Sequence, residues 1–130
     1  MIVVDASVVI EWLLRTDAGI ARARSRLPSG ERFHAPHLLD IEVTQALRRC
    51  SFTGQINGNR GQDALDDLLR LRIRRYPHKP LLRRVWELRG NLTAYDALYI
   101  ALAESLGATL LTRDGKLAAA PGHRARVQLV

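Results

Sequence analysis

Short apolar runs that break off at a carboxylate or hydroxyl, each followed by a segment of helical periodicity, constrain this chain most. Ile2-Val3-Val4 runs into Asp5, and Thr109-Leu110-Leu111-Thr112 runs into Arg113-Asp114. Such runs fit strands buried on both faces, the habit of parallel sheets. Parallel strands need long crossovers, usually helices, and the intervening segments supply them. Ser7 can cap a helix through Val8, Val9, Trp12 and Leu13. Thr16-Asp17 opens a second helix to about Leu27, which Pro28-Ser29-Gly30 stops. Phe33-His34-Ala35 reads as a strand. Pro36 then precedes a helix from about His37 to Cys50, with Leu39, Val43, Ala46, Leu47 and Cys50 on its apolar stripe.

Gly54 to Gly61 holds three glycines and two asparagines and reads as a turn or hinge. A helix follows from Gln62 to Leu71, and a strand from Arg72 to Tyr76 is cut off by Pro77. Pro80 opens a helix to about Arg89. Thr93 caps the most apolar helix, Ala94 to Leu106, and Gly107 ends it. After the Thr109–Thr112 strand, Asp114 starts a short helix ended by Pro121-Gly122, and Arg126 to Val130 is a last strand. This alternation predicts an α/β fold with a mainly parallel sheet of four or five short strands. A length of 130 residues fits a single domain, residues 1–130.

Composition narrows the chemistry. Cys50 is the only cysteine, so neither an internal disulfide nor a thiolate metal cluster can form. No apolar run approaches the ~20 residues that span a bilayer. The start lacks the basic residues of a signal peptide, and Asp5 interrupts its apolar stretch. The expectation is a soluble, cytoplasmic protein without a membrane partner. Twenty basic residues, eighteen of them Arg, stand against thirteen acidic ones, for a net charge of +7. That balance favours polyanionic partners such as nucleic acid, although a GC-rich genome raises Arg with no binding purpose.

In open α/β sheets ligands collect beyond the carboxyl ends of the strands. Asp5 and Asp114 stand there, and each also sits where an acidic residue favours a helix N-terminus. Asp96 lies in a helix that is apolar nearly all round, where a carboxylate is costly unless paired. A capping box with Thr93 would account for it structurally. On the helix after Pro36, Glu42 falls about 60° from Leu39 on the side away from Val43. Asp40 borders the other side, and helix geometry does not choose between them. Two like charges ~4 Å apart repel by about 4 kcal/mol at an effective dielectric of 20. If Asp5, Glu42, Asp96 and Asp114 converge, a divalent cation is what makes the cluster tolerable, and all-oxygen sites suit Mg²⁺ or Mn²⁺.

Four regions carry a resemblance. They are Ile2-Val3-Val4-Asp5-Ala6-Ser7-Val8; Ala35-Pro36-His37-Leu38 through Glu42 to Arg49; Leu92-Thr93-Ala94-Tyr95-Asp96-Ala97-Leu98-Tyr99 through Glu104; and Leu110-Leu111-Thr112-Arg113-Asp114-Gly115-Lys116-Leu117-Ala118. In order and spacing the chain resembles the PIN-domain family, and within it the VapC-type toxins of prokaryotic toxin–antitoxin pairs. The resemblance implies a three-layer α/β/α sandwich and a metal-dependent endoribonuclease that hydrolyses RNA with a metal-activated water. It implies Asp5, Glu42, Asp96 and Asp114 as the catalytic and metal-binding positions, favouring Glu42 over Asp40. Ser7 and Thr112 match hydroxyl positions that orient a carboxylate or a metal-bound water. It also implies Mg²⁺ or Mn²⁺ as cofactor, a homodimer, and inhibition by a small cognate antitoxin.

Other features are weaker. The four histidines show no paired metal-ligand spacing. Gly54, Gly58 and Gly61 lack the Lys-Ser/Thr ending of a phosphate loop. The segment from Arg70 to Arg89 holds eight basic residues and one acidic residue, Glu87. It can be an RNA guide, a solvated face or an antitoxin surface. Tyr95, Tyr99, Trp12 and Trp86 can stack on bases, with core or dimer packing as the plainer reading. Two competing functions remain at this point: a PIN-like module that grips RNA or protein without cutting, and a PIN nuclease of RNA maturation.

Overall fold

The computed structural model describes residues 1–14 and 30–130. The helix expected from Thr16 to about Leu27 lies outside the described residues. Five strands form one sheet: β1 (Ile2–Val4), β2 (Phe33–Pro36), β3 (Ile73–Tyr76), β4 (Thr109–Thr112) and β5 (Arg126–Leu129). Their order is β3-β2-β1-β4-β5. Every neighbouring pair is parallel, with Val3 opposite both His34 and Leu110. β1 is central, and Val3 and Val4 are fully buried, as an uninterrupted aliphatic run requires.

The helices are α1 (Ala6–Leu14), α2 (Leu38–Phe52), α3 (Gly58–Arg70), α4 (Leu82–Glu87, entered through a 3₁₀ turn at Lys79–Leu81), α5 (Ala94–Leu106) and α6 (Gly115–Ala119). The chain moves along the sheet one way from β1 to β3, then crosses back to β4 and β5. Right-handed crossovers therefore put α1, α2 and α3 on one face and α4, α5 and α6 on the other. The packing agrees: α1 rests on α2 and α3, and α4 rests on α5. The result is the expected three-layer sandwich.

α5 is the most deeply buried helix, and its run from Ala97 to Ala103 is wholly inside. Thr93, in extended conformation, accepts a hydrogen bond from the Asp96 amide, and Gly107 ends the helix at φ +61°. Two helix starts differ from expectation. α1 begins at Ala6, so Ser7 lies inside it, and Asp5 Oδ1 rather than Ser7 caps it by accepting from the Val8 amide at 3.1 Å. α3 begins at Gly58 rather than Gln62, because Asn57 caps it and accepts from the Arg60 amide at 2.7 Å. Gly58 occupies the first helical position, where glycine's interior penalty of about 1 kcal/mol does not apply in full. The segment read as a hinge is thus partly a helix start.

Candidate active site

Parallel strands end at one edge, and that edge gathers the acidic residues. Asp5 directly follows β1. α2 leaves β2 there, which puts Glu42 in its second turn. α5 feeds β4 and runs against it, so its first turn, with Asp96, returns to the same edge. Asp114 follows β4 by two residues.

Asp5 is the anchor. It is only 6% exposed. Its Oδ1 accepts from Ser7 Oγ at 2.6 Å and from the Val8 amide at 3.1 Å. Its Oδ2 accepts from Thr112 Oγ1 at 2.5 Å. The two hydroxyls are used alike. Ser7 Oγ also accepts from the Arg113 amide at 2.9 Å, and Thr112 Oγ1 from the Asp114 amide at 2.9 Å. Each hydroxyl spends its proton on Asp5 and a lone pair on the β4–α6 connection. A buried carboxylate is tolerable only with such partners.

Glu42 is half-buried and takes a 2.6 Å hydrogen bond from the Tyr99 hydroxyl at Oε1. Its carboxyl pKa lies above the usual range. Burial raises it first, the Tyr99 bond opposes, and the charges of Asp96 and Asp5 raise it further. Asp96 is also half-buried and shifted upward, by burial first and then by Asp114 and Asp5, with Thr93 opposing. Among the described residues, no basic side chain figures in these influences. Glu42 thus feels the charges of Asp96 and Asp5, and Asp96 those of Asp114 and Asp5. Asp114 is exposed, and its Oδ1 caps α6 through the amides of Lys116 and Leu117. The helix-start role weighed for Asp114 is thus real, and it engages only one oxygen.

The two carboxylates that helix periodicity left equivalent have different partners. Asp40 faces β3, where Arg75 grips it with Nη2 at 2.9 Å and Nε at 3.2 Å. Glu42 faces Asp5 and Asp96. For Asp96, the half of the capping box in which the Thr93 hydroxyl accepts from the Asp96 amide is made, at 3.2 Å.

Much of the basic segment is structural. Arg75 also donates to the carbonyls of Leu68, Leu71 and Ile73. Arg84 is held bidentately by Glu104, at 2.7 and 3.0 Å, and also by Glu87. Arg74 and Arg89 lie over the rings of Tyr76 and Trp86. Tyr99 is the residue that sequence reasoning undervalued. Its signal was a phenol one turn beyond Asp96, within the apolar run of the helix; the helix's other phenol, Tyr95, is exposed.

A donor set of four carboxylates is hard and anionic, which suits a small divalent cation. Among the described residues, no group of three or more Asp, Glu, His or Cys side chains forms a ready-made metal cage. Like charges repel bare carboxylates, and a divalent cation would offset that repulsion. In charge and donor type the residues fit such an ion.

The PIN domain family model matches residues 2–122. The chain belongs to the PIN-domain family. Within that family it falls with the VapC group. It is 45% identical over 130 residues to Ribonuclease VapC12 of Mycobacterium tuberculosis, covering 100% of this chain and 99% of that one. It is 46% identical over 129 residues to Ribonuclease VapC1 of the same species, covering 98% and 96%. Among solved structures, Rickettsia felis VapBC2 bound to a DNA fragment from its promoter superposes with a TM-score of 0.74. That match covers 99% of this PIN domain chain and 98% of the other at 15% identity, a likeness of fold alone. No helix among the described residues is long and apolar enough to cross a membrane.

Proposed function

We infer that this protein is a ribonuclease of the VapC toxin type, with Asp5, Glu42, Asp96 and Asp114 as its catalytic site. The observation that supports the reading is that four carboxylates, from four separate stretches of chain, lie toward the carboxyl ends of the strands, where two of them are shifted upward partly by the charge of others in the set. Near full-length similarity to two ribonucleases supports it.

Asp5 and Asp96 would hold a Mg²⁺ or Mn²⁺ ion, with Glu42 and Asp114 completing the charge cage. Bound there, such an ion supplies an activated water and stabilises charge developing on a phosphodiester. The chain's own part is orientation. Ser7 and Thr112 hold both oxygens of Asp5, and the α6 amides fix Oδ1 of Asp114. The net charge of +7 draws the polyanion in. The PIN domain spans residues 1–130, works in the cytoplasm as a homodimer, and is silenced by a small cognate antitoxin.

Purified protein incubated with total RNA tests the reading. Discrete fragments should form with Mg²⁺ or Mn²⁺ and vanish with EDTA. Asp5→Asn and Asp96→Asn should each abolish cleavage with an unchanged circular dichroism spectrum. A variant that cuts at the parent rate is no part of the catalytic set. RNA binding that resists EDTA and never yields fragments would replace the ribonuclease by a binding module. Growth arrest on induction, relieved by co-expressing a neighbouring small reading frame, tests the toxin role.

A further inference from the structure

α2 and α5 belong to opposite helical layers, yet each contributes a carboxylate to the same edge: Glu42 from α2 and Asp96 from α5. A site divided between layers needs a link that fixes one half against the other. Tyr99 stands where such a link is required. It lies one turn after Asp96 on the buried helix, is 1% exposed, and donates its hydroxyl to Glu42 Oε1 at 2.6 Å. Among the described residues this is the hydrogen bond that holds the Glu42 carboxylate. A buried phenol needs an acceptor, but a backbone carbonyl would serve that need equally. Here the acceptor is a half-buried carboxylate of the site, and the donor's own helix carries a second one.

We propose that Tyr99 is a positioning residue: by occupying Oε1 of Glu42 it fixes that side chain so that Oε2 is the oxygen offered to a divalent cation. The proposal rests on the metal-dependent ribonuclease reading and deepens it. Without the hydroxyl, Glu42 has three rotatable bonds and, among the described residues, the repelling charges of Asp96 and Asp5 beside it, so its average position moves away from the site. The effect belongs to the same class as the outer partners that orient metal ligands elsewhere.

Mn²⁺ binding, followed by electron paramagnetic resonance, tests this on four full-length proteins: the parent, Tyr99→Phe, Glu42→Gln and the double variant. Tyr99→Phe should weaken Mn²⁺ binding about 10-fold. In the Glu42→Gln background the same change should matter less than about two-fold, because the carboxylate through which it acts is gone. RNA cleavage by Tyr99→Phe should show a lower kcat with KM unchanged. Unaltered Mn²⁺ affinity in Tyr99→Phe, or an equal loss in both backgrounds, overturns the positioning role and leaves Tyr99 a packing residue. Melting curves in EDTA report folding. If the Phe variant does not fold, Tyr99→Met, which also removes the hydroxyl and fills much of the volume, takes its place under the same criteria. A parent that binds no Mn²⁺ and cuts no RNA would instead defeat the metal reading, and the positioning role with it.

Discussion

Thr112, the last residue of β4, donates its hydroxyl to Oδ2 of Asp5, the residue that closes β1, across a separation of 107 positions. The bond joins neighbouring strand ends where the sheet presents its carboxylates. Thr112→Val keeps the shape and removes the donor, leaving a buried carboxylate oxygen and the Asp114 amide short of a partner. Stability should fall by about 1–3 kcal/mol. RNA cleavage should fall about 10- to 100-fold, as when an outer partner of a metal ligand is lost. Urea denaturation and a cleavage time course measure the two effects. A variant with parental stability and rate would remove Thr112 from the site's support.

Asp40 and Glu42 sit two residues apart on α2 and should behave oppositely. Asp40→Asn weakens the grip of Arg75 and should cost about 1 kcal/mol of stability, the scale of a well-formed but partly exposed pair. Its cleavage rate should stay parental. Glu42→Gln should lose at least ~10-fold in rate, with stability in EDTA unchanged or raised, since a repelling charge is gone. Measuring both variants side by side separates site from scaffold, and an inactive Asp40→Asn would reverse the assignment.

His34 gives a sign for pH dependence. It is buried on β2, with Nδ1 at 2.7 Å from the Tyr76 hydroxyl. Burial foremost, with the positive charges of the amino terminus, Arg74 and Arg32, holds its pKa below the ordinary 6.5, against a small opposing pull from Glu31. The unfolded chain thus takes up a proton near pH 6.5 that the folded chain refuses. Stability is lost as the pH falls below that value. His34→Asn cannot titrate and should flatten the fall between pH 7.5 and about 5.5. Denaturation midpoints at the two pH values check it, and equal slopes for parent and variant would refute it.

Glu42 and Asp96 have the opposite sense. Their raised pKa values mean that the folded state holds protons above the range where the unfolded state releases them. Their contribution to stability is therefore present at low pH and lost as the pH rises through those folded pKa values. A divalent cation should restore it. Saturating Mn²⁺ at ~100 times its dissociation constant stabilises by about 2.7 kcal/mol. The rise in melting temperature should be larger at pH 7.5 than at pH 5, and EDTA should cancel it. A pH-independent shift would point to binding elsewhere.

The architecture was legible because the strands are short, aliphatic and closed by polar residues. Val3-Val4-Asp5 and Leu111-Thr112 announce both a buried strand and its end. The placement of Asp5, Asp96 and Asp114 was legible too, since each follows a strand or opens a helix, whereas Glu42 lies in the second turn of α2. What periodicity could not supply was partnership. Asp40 and Glu42 flank the same apolar stripe, and distant partners tell them apart: Arg75, 35 positions beyond Asp40, and Tyr99, 57 beyond Glu42. Tyr99 looked like core because it is core; its hydroxyl meets an acceptor 57 residues away. The start of α3 was misplaced because glycines in its first turn read as a breaker, while the Asn57 cap outweighs them locally.

The carboxylates at positions 5, 42, 96 and 114 are strung along nearly the whole polypeptide, and β4, which aligns the first with the last, pairs with β5 at residues 126–129. A ribosome builds from the amino end. Until residues 114–129 are made, the nascent product lacks the last of these acidic groups and the strand that pairs beside it. On the reading given above, cutting activity waits until β4 and β5 have emerged and paired, so latency is written into the order in which the parts appear.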